Sequence, residues 1–169
     1  MKAAQLGHCP VVAEVEVTQT MDALDLLRED HGTIKKIMSH IESTNESGVK
    51  TREEFFTKMK ALLQVHEAIE EEILYPALKE HPNARDLVLE AYEEHNVIDV
   101  VMAEIDDTPF DDETWSAKFT VMRENLEHHI EEEESVMFGQ CRKVFDPAEL
   151  QELGDEMEAR KEDLEGANA

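Results

Sequence analysis

The sequence predicts an all-α fold, an up-down-up-down antiparallel four-helix bundle with an additional C-terminal helix. Three observations lead there. Gly and Pro number only 6 and 5 among 169 residues, so long helices can run uninterrupted. Apolar residues recur at alternating +3 and +4 spacing along four stretches, which is the stripe a helix turns toward its partners. The pattern is also duplicated. Glu29-Asp30-His31 through Met38 parallels Glu93-Glu94-His95 through Met102, and His66-Glu67-Ala68-Ile69-Glu70 parallels His129-Ile130-Glu131-Glu132-Glu133, 63 residues on. Four helices with short connections favour antiparallel neighbours.

Residues 1–19 read as a flexible lead-in. Val11 to Val17 alternate like a strand but have no second strand to pair with, and His8-Cys9-Pro10 reads as exposed tail. The bundle is expected over 20–145. Its first helix is expected from about Met21 to Ser43 with Thr20 as candidate N-cap, and its seam is Leu24, Leu27, His31, Ile34, Met38 and Ile41. A polar turn, Ser43 to Gly48, separates it from a second helix. There Thr51-Arg52-Glu53-Glu54 has the form of a capping box. The second seam reads Phe55, Met59, Leu62, His66, Ile69 and Ile73, with Glu70 beside it and a turn below His66. Pro76 is expected to kink or end this helix, because it lacks a donor N–H.

His81-Pro82-Asn83 marks the next connection. The third seam is Ala84, Val88, Ala91, His95, Ile98, Met102 and Ile105, closed by Asp106-Asp107-Thr108-Pro109. The fourth helix starts near Asp112, with Trp115, Phe119, Met122, Leu126, His129, Glu133 and Val136 on the stripe. Asp146-Pro147-Ala148-Glu149 then announces a new helix, which with a short tail makes up 146–169, with Asp as cap, Pro at the first helical position and Glu at the third. Leu150, Leu153, Met157 and Leu164 give that helix one apolar face to lay on the bundle.

Composition excludes several functions. With 16 basic and 41 acidic residues the formal charge is -25, a field that repels phosphate backbones and anionic lipid, and no basic patch interrupts it. Nucleic-acid and membrane partners are therefore not expected. The apolar runs are too short for a transmembrane helix, and the N-terminus has no apolar signal core before Glu14 and Glu16, so a cytoplasmic location is expected. Cys9 and Cys141 form neither a disulfide framework nor a CxxC motif.

The chemistry resides in the seams. His31, His66, His95 and His129 stand at matched depth, and Glu70 and Glu133 lie one turn after two of them. Burying an ionised carboxylate without a partner costs several kcal/mol, so a bundle with this interior needs a compensating cation. Two divalent ions would use all six side chains, with imidazoles as terminal ligands and carboxylates able to bridge. Mixed imidazole and carboxylate donors suit iron or manganese, and also zinc.

Other metal patterns fail. The Glu-x-x-His of ferritin-like bundles would need glutamate where Arg28, Leu63, Tyr92 and Leu126 stand, and the second histidine of HExxH is Glu70 here. His128 points about 100° away from His129 and reads as surface. His40 and His81 fall at a helix end and a loop. Glu71, Glu72, Glu131, Glu132 and Glu134 read as a solvated face from which some members can orient imidazole N–H groups. Tyr92 reads as core packing.

The order His31, His66-xxx-Glu70, His95, His129-xxx-Glu133, with the phrases Glu71-Glu72-Ile73-Leu74-Tyr75-Pro76 and Glu134-Ser135-Val136-Met137-Phe138, resembles the hemerythrin-like, or HHE cation-binding, domain family. The resemblance covers about 21–165. It implies a four-helix bundle holding a non-haem di-iron centre, bridged by Glu70, Glu133 and a solvent-derived oxo or hydroxo group. Oxygen-carrying members have a further histidine one turn after the third-helix ligand. Here that residue is Asp99, and the matching residue of the first helix is Lys35. Two histidines per iron leave open positions unless Asp99 ligates or bonds a bound water. Open positions favour chemistry with O2, peroxide or NO over reversible carriage. The alternative is a non-catalytic iron- or oxygen-sensing or iron-handling module acting through a protein partner.

Overall fold

The structure is a computed structural model that describes residues 21–44 and 48–167. The lead-in, Thr20, Cys9 and the middle of the first polar turn lie outside the described residues. Among the described residues the regular structure is all helical, as α1 (Ala23–Glu42), α2 (Val49–Ile69), α3 (Tyr75–Lys79), α4 (Arg85–Asp106), α5 (Trp115–Glu132), α6 (Phe138–Val144) and α7 (Pro147–Ala167). Single π-helical turns, Glu70–Leu74 and Glu133–Met137, join α2 to α3 and α5 to α6 into continuous rods. No helix is long and apolar enough to cross a membrane.

Helix ends follow local chemistry. Asp22 caps α1, accepting a hydrogen bond from the Asp25 N–H at 2.9 Å. At the start of α7 the capping box is reciprocal. Asp146 accepts from the N–H groups of Ala148 and Glu149, while Glu149 accepts from the Asp146 N–H at 2.7 Å. The box expected at Thr51 does not form. The helix begins earlier, after Gly48, and Arg52 is buried instead, its guanidinium 4.8 Å from the Trp115 ring and donating to the Phe110 carbonyl.

The seam of α2 also differs from expectation. Phe56, Met59, Leu63, His66, Ile69 and Glu70 are buried, while Phe55 and Leu62 are half-buried. Both registers are equally apolar, and the observed one places a glutamate in the interior. Pro76 does not end the rod. In each π-helical turn the N–H five residues on bonds the glutamate carbonyl, Tyr75 to Glu70 and Phe138 to Glu133. Such a turn adds one residue and advances the inward face, so Leu74, not Ile73, and Met137, not Val136, are buried. Pro76 lacks the N–H that would next be needed, and the Tyr92 hydroxyl supplies it, donating to the Glu71 carbonyl at 3.2 Å.

The buried residues form two apolar clusters. One gathers Leu24, Leu27, Leu74, Tyr75, Val88, Ala91, Phe138 and Met157; the other Ile34, Phe56, Leu63, Ile98, Met102, Trp115 and Leu126. In α1, α2 and α4 the seam histidine falls between a residue of the first cluster and one of the second, and along the α5 rod His129 lies between Leu126 of the second cluster and Met137 of the first, which sits in the π-helical turn. A polar layer thus divides the core.

The fifth long helix, α7, packs on α1 and α2. It buries Ala23, Leu26 and Asp30, which lie on a flank of α1 outside the predicted seam. Gly154 permits the approach: a Cβ there would stand 2.5 Å from the Met21 carbonyl oxygen and 2.8 Å from the Ala23 nitrogen. Helix propensity alone would favour Ala at an interior helix position by about 1 kcal/mol. Gly154→Ala is nevertheless expected to destabilise the protein by roughly 1–3 kcal/mol, because backbone must move. Urea unfolding of the variant checks this, and an unchanged midpoint would refute the close packing.

Candidate metal centre

Each rod presents its ligand by the same local device. In α1 and α4 a single histidine replaces an apolar seam residue. In α2 and α5 the histidine precedes a glutamate by four residues, and the π-helical turn opens at that glutamate. All six predicted ligands meet: His31, His66, His95, His129, Glu70 and Glu133 are each at most 2% exposed.

Their atoms form two histidine pairs spanned by two carboxylates. His31 Nε2 and His66 Nε2 are 3.2 Å apart, and His95 Nε2 and His129 Nε2 are 3.0 Å apart. Glu70 Oε2 lies 3.5 Å from both His66 Nε2 and His95 Nε2. Glu133 Oε2 lies 3.2 Å from His31 Nε2 and 3.5 Å from His129 Nε2. Each carboxylate therefore reaches both pairs.

Three of the four outer ring nitrogens are hydrogen-bonded to carboxylates. His31 Nδ1 meets Glu134 at 3.0 Å, His95 Nδ1 meets Glu71 at 2.9 Å, and His129 Nδ1 meets Glu94 at 2.9 Å. His66 Nδ1 faces Asp30 at 3.6 Å. An ionised carboxylate only accepts, so the proton of a neutral ring belongs on Nδ1 and the Nε2 lone pair points inward. Two lone pairs then face each other about a hydrogen-bond length apart in each pair. Glu70 Oε1 and Glu133 Oε2 are buried without a hydrogen-bond partner. Inward lone pairs and orphaned carboxylate oxygens are what a pair of cations would satisfy, so the residues fit a two-metal site.

In the metal-free site the two central carboxyls differ. Burial, and next the charge of Glu133, push the Glu70 carboxyl well above the usual carboxylate range. Burial acts the same way on Glu133, but in the metal-free site the charge of His129 is the largest influence against it, and that carboxyl is held low. Burial presses the His66 imidazole down to about 4, so this ring stays neutral and free to bind metal at neutral pH. Burial raises the Cys141 thiol to about 12, leaving it an inert apolar neighbour.

The histidine partners were only half visible in the sequence. Glu71 and Glu134 come from the acidic face. Asp30 and Glu94 were not anticipated, although each immediately precedes a seam histidine. The four carboxylates work crosswise: α1 serves the α2 histidine, and α4 serves that of α5. The glutamate after each bridging residue serves the remaining helix.

Tyr75 was also missed. Its hydroxyl donates to Glu133 Oε1 at 2.8 Å and lies 3.3 Å from His95 Nε2. The matching residue of the other half, Phe138, has no hydroxyl and stacks on His31 at 6.0 Å. Tyr92 reaches the Glu71 carbonyl and packs edge-on to Tyr75, without entering the centre. Glu72 pairs with Arg160. His128 is 66% exposed, in a solvated trio with Glu94 and Glu132. Asp99 is exposed, and its charge acts on Glu67.

Comparisons with known proteins agree with this geometry. The hemerythrin HHE cation-binding domain profile matches residues 22–141. An uncharacterized protein of Mycobacterium tuberculosis and one of Mycobacterium bovis are each 31% identical over 150 residues, covering 87% of this chain and 89% of theirs. The crystal structure of a hemerythrin HHE cation-binding domain-containing protein from Mycobacterium kansasii superposes with a TM-score of 0.78 at 29% identity, over 87% of this chain and 89% of that one. With its buried histidine and glutamate layer and a match spanning most of its length, the chain belongs to the hemerythrin HHE cation-binding domain family.

Proposed function

We propose that this protein is a non-haem di-iron protein that binds or processes O2, peroxide or NO, on an up-down-up-down four-helix bundle with α7 laid outside it. The observation that carries the reading is the pairing of inward Nε2 lone pairs at 3.2 and 3.0 Å, each pair reached by both Glu70 and Glu133. The His31–His66 and His95–His129 pairs would hold one ion each, with the glutamates bridging. Manganese or zinc could occupy the same donors. Iron held by these donors would supply electrons to a small oxidant.

The surrounding residues prepare the site for such a ligand. Tyr75 directs a hydroxyl proton at Glu133 Oε1 beside His95, where it can donate to a small polar ligand if the carboxylate moves. Asp99 is exposed and so supports a role outside the ligand set. A second reading, an iron- or oxygen-sensing module acting through a partner, is favoured by one contact set: α7 grips the site's flank through Arg160–Glu72 and Lys161–Asp30.

Metal analysis and optical spectra of protein produced with iron supplied test the proposal. About two irons per chain, with a spectrum that changes under peroxide or NO, is the expected result. Well under one metal per chain would defeat both readings, and a spectrum indifferent to every small oxidant, with no peroxide consumed, would leave only the sensing one.

A further inference from the structure

The two halves of the site are copies in sequence, but their surroundings are not. Glu134, which holds His31 Nδ1, is also held by Lys35 Nζ at 3.2 Å. Asp30, which faces His66 Nδ1, takes Lys161 Nζ at 2.5 Å, with the lysine 17% and the aspartate 6% exposed. Both carboxylates behind the first histidine pair thus carry a lysine. Behind the second pair, the Glu71 carboxylate meets His95, and Glu94 meets His129 with His128 at 3.9 Å. Neither has a lysine or arginine partner among the described residues. The residue of α4 that copies Lys35 is Asp99, four after His95 as Lys35 is four after His31, and it adds negative charge where the first half has positive.

A carboxylate on Nδ1–H makes imidazole a stronger donor to metal, and a cation on that carboxylate withdraws part of the effect. A positive charge near an ion also disfavours its more highly charged state. Lys161 is the better screened from water of the two lysines, so it acts at a lower effective dielectric than Lys35, which is 44% exposed. Resting on the two-metal reading above, we infer that the ion positions are inequivalent. Lys35 and Lys161 act as positioning residues that make the His31–His66 position the weaker cation site and the more readily reduced one. The His95–His129 position fills first and holds the more oxidised ion.

The test has two readouts, neither of them turnover: stepwise titration of the metal-free protein with Co2+, and mediated redox titration of the iron-loaded protein. Wild type should show two resolved binding steps. Lys35→Met should strengthen the second step roughly tenfold or less and leave the first in place. It should also lower the potential of the first reduction while the second stays put. Lys161→Arg keeps the charge and should preserve the wild-type pattern. Asp99→Lys carries a cation toward the other half, so it should weaken the first binding step and bring the two together. A single unresolved Co2+ step in wild type, an equal shift of both steps in Lys35→Met, or an unmoved first step in Asp99→Lys would each overturn the inference. Protein that takes up no metal at all fails the two-metal reading itself, and does so before any lysine is changed.

Discussion

Glu133→Ala will strip the centre of both ions, whereas His128→Ala, five residues before it, will leave metal content unchanged. The carboxylate is placed to span the two histidine pairs, 3.2 Å from His31 and 3.5 Å from His129, so its loss removes a donor from each position at once. In the two-metal reading His129→Ala takes away one of the two imidazoles proposed to hold one ion, and it should release that ion first. Losing an outer-shell partner of a metal-binding histidine costs about 10–100-fold in affinity, and losing a ligand costs more. Glu94→Ala, which leaves His129 Nδ1 without its acceptor, therefore belongs between the two extremes. His128 is 66% exposed and sits outside the site. Iron determination after desalting gives the ranking. Should His128→Ala release more metal than His129→Ala, the wrong imidazole has been placed inside.

The helices, the duplicated halves and the six inward donors were legible because they obey one-dimensional rules. A +3, +4 stripe survives in sequence, and a histidine or glutamate that interrupts it is conspicuous. What was not legible depends on departures from the α-helical period. The π-helical turns at Glu70–Leu74 and Glu133–Met137 add a residue to the register, so extrapolating the stripe chose Ile73 and Val136 where the fold buries Leu74 and Met137. Pro76 precedes nothing that would reveal the turn, since its copy is Gly139 and the second turn forms without a proline. The factor common to both turns is the buried glutamate at their start. The remaining gaps are pairwise. That Asp30 would face His66 and take Lys161 requires knowing that α7 covers that flank of α1, and nothing local to Asp30 encodes it.

Metal-free Glu67→Gln protein will be more stable than metal-free wild type at neutral pH, and the difference will grow as pH rises. Glu67 is only 7% exposed, and its Oε1 has no hydrogen-bond partner. Burial first, then the charges of Asp99 and Glu71, push its carboxyl up to about 9 from 4.5. A carboxyl raised in this way is protonated in the folded chain and ionised in the unfolded one between those two values. Across that window the folded state binds the extra proton, so stability is full below pH 4.5 and falls as pH rises toward 9. At pH 7 the loss is on the order of 3 kcal/mol, which Gln, having nothing to ionise, does not suffer. Asp99→Asn should recover a smaller part, because Asp99 is the larger of the two charges acting on Glu67. Urea unfolding of chelator-treated wild type, Glu67→Gln and Asp99→Asn at pH 5, 7 and 8.5 measures all of this. Parallel stability curves for wild type and Glu67→Gln across that range would mean that Glu67 is ionised and satisfied in the fold, and Asp99 would lose the role assigned to it.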